Sequence, residues 1–222
     1  MIDLNHCNEW QHRCSETGLV LPWYTKPFLD ELVTWDLKDK VVLEIGMGAS
    51  TLWWQRKVEY LTAFETNVDW YNAVIMKMES KPGDEYLVDT VATIENILME
   101  KYDIAIIDID PVEMRDGCIA LALNHLVPSG RLIIDNWDQK SVWVPSDETR
   151  ALLAPYPCKI YKQEGHPDWQ TAVFTKMVQP IPSFVPGAVV PRGIVGESDR
   201  KEIIITTDGT VTVADQHPNK NI

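Results

Sequence analysis

Acids and glycines at the ends of apolar runs are the residues of this chain best placed to do chemistry. In VVLEIGMGAST, residues 41–51, an apolar run ends in Glu44 and passes through Gly46-Met47-Gly48 into a segment starting near Ser50. A turn with two glycines lets backbone approach a ligand closely, since neither carries a Cβ. The helix behind it opens with unpaired N–H groups that suit an anionic group such as a carboxylate. A second apolar run, YLTAFE, closes on Glu65, where a carboxylate can take the two hydroxyls of a ribose. Together these residues describe a nucleoside site. Asp89, Asp108, Asp135 and Asn136 close later runs and would lie on the same sheet edge, where open parallel sheets bind ligands. Acids and Asn are also good turn and cap residues, and that plainer reading accounts for some of them.

The elements that must position these residues alternate. A helix is expected from about Pro27 to Trp35, then a strand over 41–45 and a short helix in STLWWQRK. A strand over 60–65 leads into a helix from Thr66 and Asp69, in a capping-box-like start, through about Met78, with Tyr71, Val74, Ile75 and Met78 on one face. A strand follows at 85–89, a helix around 93–99, the run YDIAIIDID, a helix at about 114–126, a strand at 131–135 and a helix at about 147–153. This alternation predicts an α/β fold, a doubly wound parallel sheet with helices on both faces. The fourth and fifth strands read as continuous apolar runs, as buried parallel strands do. CKIYK and WQTAVFTK, joined by the short QEGHPD, read as an antiparallel pair. Beyond them lie a Pro-rich linker and KEIIITTDGTVTVAD, where Asp208-Gly209 between β-branched residues signals a hairpin. A lone hairpin is marginal in water, so docking on the domain or on a second subunit is expected. The chain thus divides into a polar lead-in (1–22), a main domain (23–177) and a tail (178–222).

A dinucleotide fingerprint requires GxGxxG. This chain has GxGxS after Glu44. The arrangement resembles the first motif of class I S-adenosylmethionine-dependent methyltransferases, (D/E)xGxGxS/G, and the likeness covers about residues 20–177. It implies a Rossmann-like, seven-stranded, mainly parallel sheet whose antiparallel last strand inserts beside the fifth. It also implies S-adenosyl-L-methionine as cofactor, held by Glu44, Gly46, Gly48, Ser50, Thr51, Glu65, Thr66, Asp89 and Asp108. PWYTKPFLDEL, STLWW and the Trp-Tyr of the second helix resemble a bacterial and phage branch of these enzymes. Residues before the first strand help cover the methionine end in the wider family, which makes Tyr24 and Thr25 candidates. A helix cap packed against Trp53 and Trp54 is the plainer account of them.

An acid closing the fourth strand with Asp-Asn closing the fifth is similar to the metal site of catechol-type, cation-dependent O-methyltransferases. Carried over, Asp108, Asp135 and Asn136 become candidate ligands of a hard cation such as Mg²⁺, which prefers oxygen donors. One departure stands out. That family's basic lysine, three residues after the first metal acid, corresponds to Pro111. Any general base must then come from elsewhere, such as Asp110, Asp138, Lys140 or His166, with Asp108 a catalytic candidate of its own. The other reading has Asp108 orient substrate or cofactor while Asp135-Asn136 simply ends a strand. Trp137 and Trp143 fall in the loop that commonly shapes the acceptor pocket of methyltransferases, with plain packing an equal alternative.

The chain has 222 residues and a formal net charge of −13, enough length for a sizeable core and no basic footprint for nucleic acid. The (D/N)PPY-like signature of nucleic-acid amino methylation is absent, with DIDPVEM in its place. Four scattered cysteines read as thiols of a reducing compartment, and a cytoplasmic enzyme is expected. His6, Cys7, His12 and Cys14 match no zinc spacing. The leading expectation is methyl transfer to a hydroxyl of a small molecule or glycan, with the hairpin tail offering a homodimer contact. The alternatives are a non-catalytic nucleoside-binding module that recruits a partner through its tail, and an NAD-linked oxidoreductase.

Overall fold

A computed structural model describes residues 21–79, 81–88, 101–177, 201–205 and 211–215. Contacts divide the chain into two compact units, residues 1–179 and 180–222. In the first, α1 (Lys26–Leu32), β1 (Val41–Ile45), α2 (Ala49–Gln55), β2 (Tyr60–Glu65), α3 (Val68–Ile75) and β3 (Glu85–Val88) lead to β4 (Tyr102–Ile107). After a 3₁₀ turn at Val112–Met114 come α4 (Arg115–His125), β5 (Leu126–Asp135), α5 (Asp147–Leu153), β6 (Cys158–Gln163) and β7 (His166–Thr175).

The seven strands form one sheet in the order β3-β2-β1-β4-β5-β7-β6. β1 pairs in parallel with β2 and β4, as do β2 with β3 and β4 with β5. β7 runs antiparallel between β5 and β6, with Asp135 opposite Thr171 and Ile160 opposite Ala172. The doubly wound sheet with an inserted last strand is thus present. The order reverses between β1 and β4, so the switch point lies beside the Gly-rich turn after β1.

Side-chain alternation supplies two cores. Leu43, Ile45, Ala105, Ile107, Leu132 and Ile134 pack on one face with Cys118, Ile119 and Ala122 of α4. Val42, Leu61, Ala63, Ile104, Ile106 and Ile133 pack on the other with Tyr24, Phe28, Trp53 and Trp54 of the α1 and α2 region. Glu44 shares the pleat side of Val42 and is pressed beneath α2, fully buried.

Several boundaries differ from expectation for local reasons. α3 begins after Asn67, whose Oδ1 accepts from the N–H groups of Asp69 and Trp70 at 3.0 and 3.1 Å. Asn67, and not a Thr66–Asp69 box, is the cap. α1 and α3 stop short of Trp35 and Met78, and β5 starts early, at Leu126. The helix expected around 93–99 and Asp89 lie outside the described residues, as do the N-terminal His and Cys residues. In the second unit, β8 (Lys201–Ile205) pairs antiparallel with β9 (Val211–Asp215); the Asp208-Gly209 turn lies outside the described residues. Among the described residues no helix is long and apolar enough to cross a membrane.

Candidate functional site

The turn after β1 is built on Gly46, whose φ of +101° lies in the region that favours glycine. Its N–H donates to the Phe64 carbonyl at 2.8 Å, tying the turn to β2. Gly48 does a different job. A Cβ there would meet nothing within 4 Å, so the glycine leaves open space on the ligand side, while its N–H donates to Thr51 Oγ1 at 2.7 Å. Glu65 holds the turn from the neighbouring strand: Oε2 accepts from Met47 N at 3.1 Å, and Oε1 from Thr66 N and Asn67 N at 2.8 and 2.9 Å. Trp70 Nε1 donates to the Met47 carbonyl at 2.6 Å and clasps the turn from α3.

These residues line a cavity of about 450 Å³ that includes Gly48, Ser50, Glu65, Asn67, Trp70, Asp108 and Asp110. A second cavity, of about 690 Å³, is lined by Asp108, Asp135, Asn136, Gln139, Ser141, His166, Asp168 and Trp169. Asp108 and Trp23 belong to both. The sheet edge therefore carries two adjoining chambers with one carboxylate and one indole at the junction.

Trp23 owes its place to its neighbours. Tyr24 is buried in the core and its hydroxyl accepts from Trp54 Nε1 at 3.1 Å. Thr25 N donates to Thr171 Oγ1 at 3.1 Å, and that hydroxyl donates to Asp135 Oδ1 at 2.8 Å. Tyr24 and Thr25, the sequence candidates, are thus buried anchors that line neither cavity. The residue before them reaches the site.

Burial is the main electrostatic fact here. It pushes the Glu44 carboxyl from the usual 4.5 to about 8, with added repulsion from Asp108 and Glu65. Neither Glu44 oxygen has a hydrogen-bond partner among the described residues, although the Ser50 and Thr51 hydroxyls lie near enough to restrain the shift. Glu65 is raised by burial and restrained by its three backbone donors. Asp108 and Asp135 are also raised by burial. Arg115 restrains Asp108, whereas the Asp108 charge pushes Asp135 further up.

Arg115, the first residue of α4, meets this edge with its whole guanidinium. Nε donates to the Ile109 carbonyl at 3.0 Å, one Nη to the Asp135 carbonyl at 2.7 Å and the other to Asp108 Oδ1 at 3.0 Å. Of the donors expected for Mg²⁺, Asp108 Oδ1 accepts from a guanidinium and Asp135 Oδ1 from the Thr171 hydroxyl, while the Asn136 amide nitrogen donates to Gln139 Oε1 at 3.0 Å. A divalent ion on Asp108 would face the guanidinium's like charge, and these residues do not fit it. Among the described residues no three His, Cys, Asp or Glu side chains converge on a metal position.

The remaining candidates separate. Asp110 lines the smaller cavity, and its carbonyl accepts from the Thr66 hydroxyl at 2.8 Å. His166 lines the larger one. Asp138 is paired with Arg150 at 2.6 Å and, like the exposed Lys140, lines neither. Trp137 and Trp143 are packing residues, 5.8 Å apart at their centroids, with Phe174 against Trp137. Sequence reasoning missed Trp23, Asn67, Trp169 and Arg115. Only Arg115 left a signal: it opens the buried stripe Arg115, Cys118, Ile119, Ala122 as its single charge.

No family model and no curated protein matches the chain. Solved structures do. A methyltransferase from Pyrococcus furiosus is 17% identical, with a TM-score of 0.55 over 78% of this chain and 98% of that one. The O-methyltransferase TomG from Streptomyces achromogenes, involved in tomaymycin synthesis and solved with S-adenosylmethionine, is 15% identical, with a TM-score of 0.54 over 78% and 89%. The N-methyltransferase NodS from Bradyrhizobium japonicum, solved with S-adenosylhomocysteine, is 13% identical, with a TM-score of 0.52 over 78% and 97%. The fold of residues 21–177 is the Rossmann-like fold of these methyltransferases.

Proposed function

We propose that the chain is an S-adenosylmethionine-dependent methyltransferase acting on a hydroxyl of a small molecule or glycan. The observation that carries this reading is the pair of adjoining cavities sharing Asp108 and Trp23. Two-substrate group transfer needs such a junction, because the protein's main task is to align two reactants and exclude water.

The smaller cavity suits the cofactor. Glu65 Oε2 keeps one lone pair free for a ribose hydroxyl beyond its single backbone donor, and the open space above Gly48 admits close approach. Among the described residues its lining carries Glu65, Asp108 and Asp110 and no Lys or Arg. That negative lining favours a ligand with ammonium and sulfonium charges and opposes the pyrophosphate of NAD. S-adenosylmethionine supplies the methyl electrophile when bound.

The larger cavity suits the acceptor. Its size falls in the usual range for small-molecule sites. Asn136, Gln139, Ser141 and Asp168 suit hydrogen bonding to hydroxyl groups, Trp23 and Trp169 supply indole rings, and among the described residues no Lys or Arg lines it. A phosphate-rich acceptor is poorly served there. Asp108, at the junction, orients the attacking hydroxyl and accepts its proton.

Calorimetric titration with S-adenosylmethionine, S-adenosylhomocysteine and NAD tests the reading. Micromolar binding of the two sulfur nucleosides and none of NAD is expected. Failure of both sulfur nucleosides to bind sinks the proposal.

A further inference from the structure

Arg115 is an unusual residue to find where it is. It is 3% exposed on an otherwise apolar helix stripe, and burying a guanidinium there is unfavourable unless its donors are met. Each of its three nitrogens donates a hydrogen bond, and to a particular set of partners. Two are the backbone carbonyls of Ile109 and Asp135, just past β4 and at the end of β5, and the third is the Asp108 carboxylate at the junction of the cavities. Trp143 backs the guanidinium at 5.8 Å from its ring centroid. One rigid planar fork thus spans the ends of two adjacent strands and fixes the Asp108 carboxylate between them.

We propose that Arg115 occupies the place of a divalent cation at this sheet edge: it is a positioning residue that holds Asp108 at the cavity junction, so that the site works without metal. The inference rests on the methyltransferase reading above. A fixed positive charge covalently attached to α4 holds Asp108 in one orientation and offsets its negative charge at the cavity junction, two tasks a bound cation would otherwise perform. It cannot ligate acceptor oxygens as a metal does, so the acceptor hydroxyl must be held by the side chains of the larger cavity.

The test is Mn²⁺ uptake by the full chain, followed by the loss of the free-ion electron paramagnetic resonance signal, with and without S-adenosylhomocysteine. Wild-type protein is expected to take up no stoichiometric Mn²⁺. Arg115→Gln, which presents a planar, hydrogen-bonding amide without the charge, and Arg115→Ala are expected to gain one Mn²⁺ per chain. Adding Asp108→Asn to either should abolish that gain. A residue that merely braced α4 would not expose a cation site when neutralised. One Mn²⁺ on wild-type protein, or none on a folded Arg115→Gln protein, overturns the proposal. Should Arg115→Ala fail to fold, Arg115→Gln and the wild-type titration still decide it. Loss of S-adenosylhomocysteine binding by wild type would instead sink the methyltransferase reading, so the two failures are distinguishable.

Discussion

Gly46 and Asp108 stand so close across β1 and β4 that a Cβ on the glycine would lie 2.2 Å from the aspartate carbonyl oxygen. The contact couples the Gly-rich turn to the carboxylate at the cavity junction. Gly46→Ala meets both this clash and the positive φ. We expect a loss of at least roughly 2 kcal/mol in urea-measured stability and a fall in S-adenosylhomocysteine affinity. Gly48→Ala should leave stability within roughly 1 kcal/mol while still weakening the ligand, because its new methyl enters open space in the cavity. Equal stability losses in the two variants would contradict this division.

Glu44 gives a pH signature with a definite sign. Its carboxyl titrates near 4.5 when unfolded and near 8 when folded. Between those values the folded state binds more protons, so the group lowers stability as pH rises, by at most roughly 1.4 kcal/mol per pH unit. Glu44→Gln should therefore be close to wild type at pH 4.5 and more stable at pH 8, by roughly 2–4 kcal/mol. Urea unfolding at the two pH values measures it, and a difference independent of pH would refute the assignment.

Trp23 and Tyr24 should behave oppositely despite being adjacent. Trp23 is 39% exposed and lines both cavities. Trp23→Ala is expected to change stability by less than roughly 1 kcal/mol and to weaken S-adenosylhomocysteine about tenfold, about 1.4 kcal/mol. Tyr24→Phe removes the acceptor of the Trp54 indole N–H, which should lower stability by about 1 kcal/mol and leave affinity unchanged. Calorimetry beside thermal unfolding separates the two effects.

Glu65→Gln probes the strap on the turn. A carboxylate accepts at both ends, and here it receives three N–H groups on two oxygens. An amide offers a single oxygen, so at least Met47 N or the Thr66–Asn67 pair loses its acceptor. We expect a stability loss of about 1–3 kcal/mol and at least tenfold weaker nucleoside binding. Retained affinity in that variant would mean that Glu65 serves the turn alone.

The strand-end acids and the Gly-rich turn were legible because they are local: each sits beside its own apolar run. The inserted β7 followed from two short antiparallel runs and the resemblance. The remaining site residues are placed by distant partners. Trp23 is fixed through Thr25 and Thr171, which are 146 residues apart, and no window of sequence contains both. Tyr24 and Thr25 were one and two positions from the residue that lines the cavities, and only the packing of Tyr24 against Trp54 sorts core from site. Asp138 looked as available as Asp110 until Arg150 claimed it. For the metal, the sequence displayed the oxygen donors, while Arg115 entered from the next helix and engaged one of them.

β7 is the last strand of its unit, and it carries Thr171, to which the segment before α1 is tied. During synthesis Trp23 emerges first among the cavity residues, but its fastening emerges nearly last. A ribosome-bound chain that ends before residue 171 lacks the Thr171 tether on both Thr25 and Asp135. Completion of the binding site is thereby linked to near-completion of the domain, and truncated chains should lose ligand binding before they lose the parallel sheet.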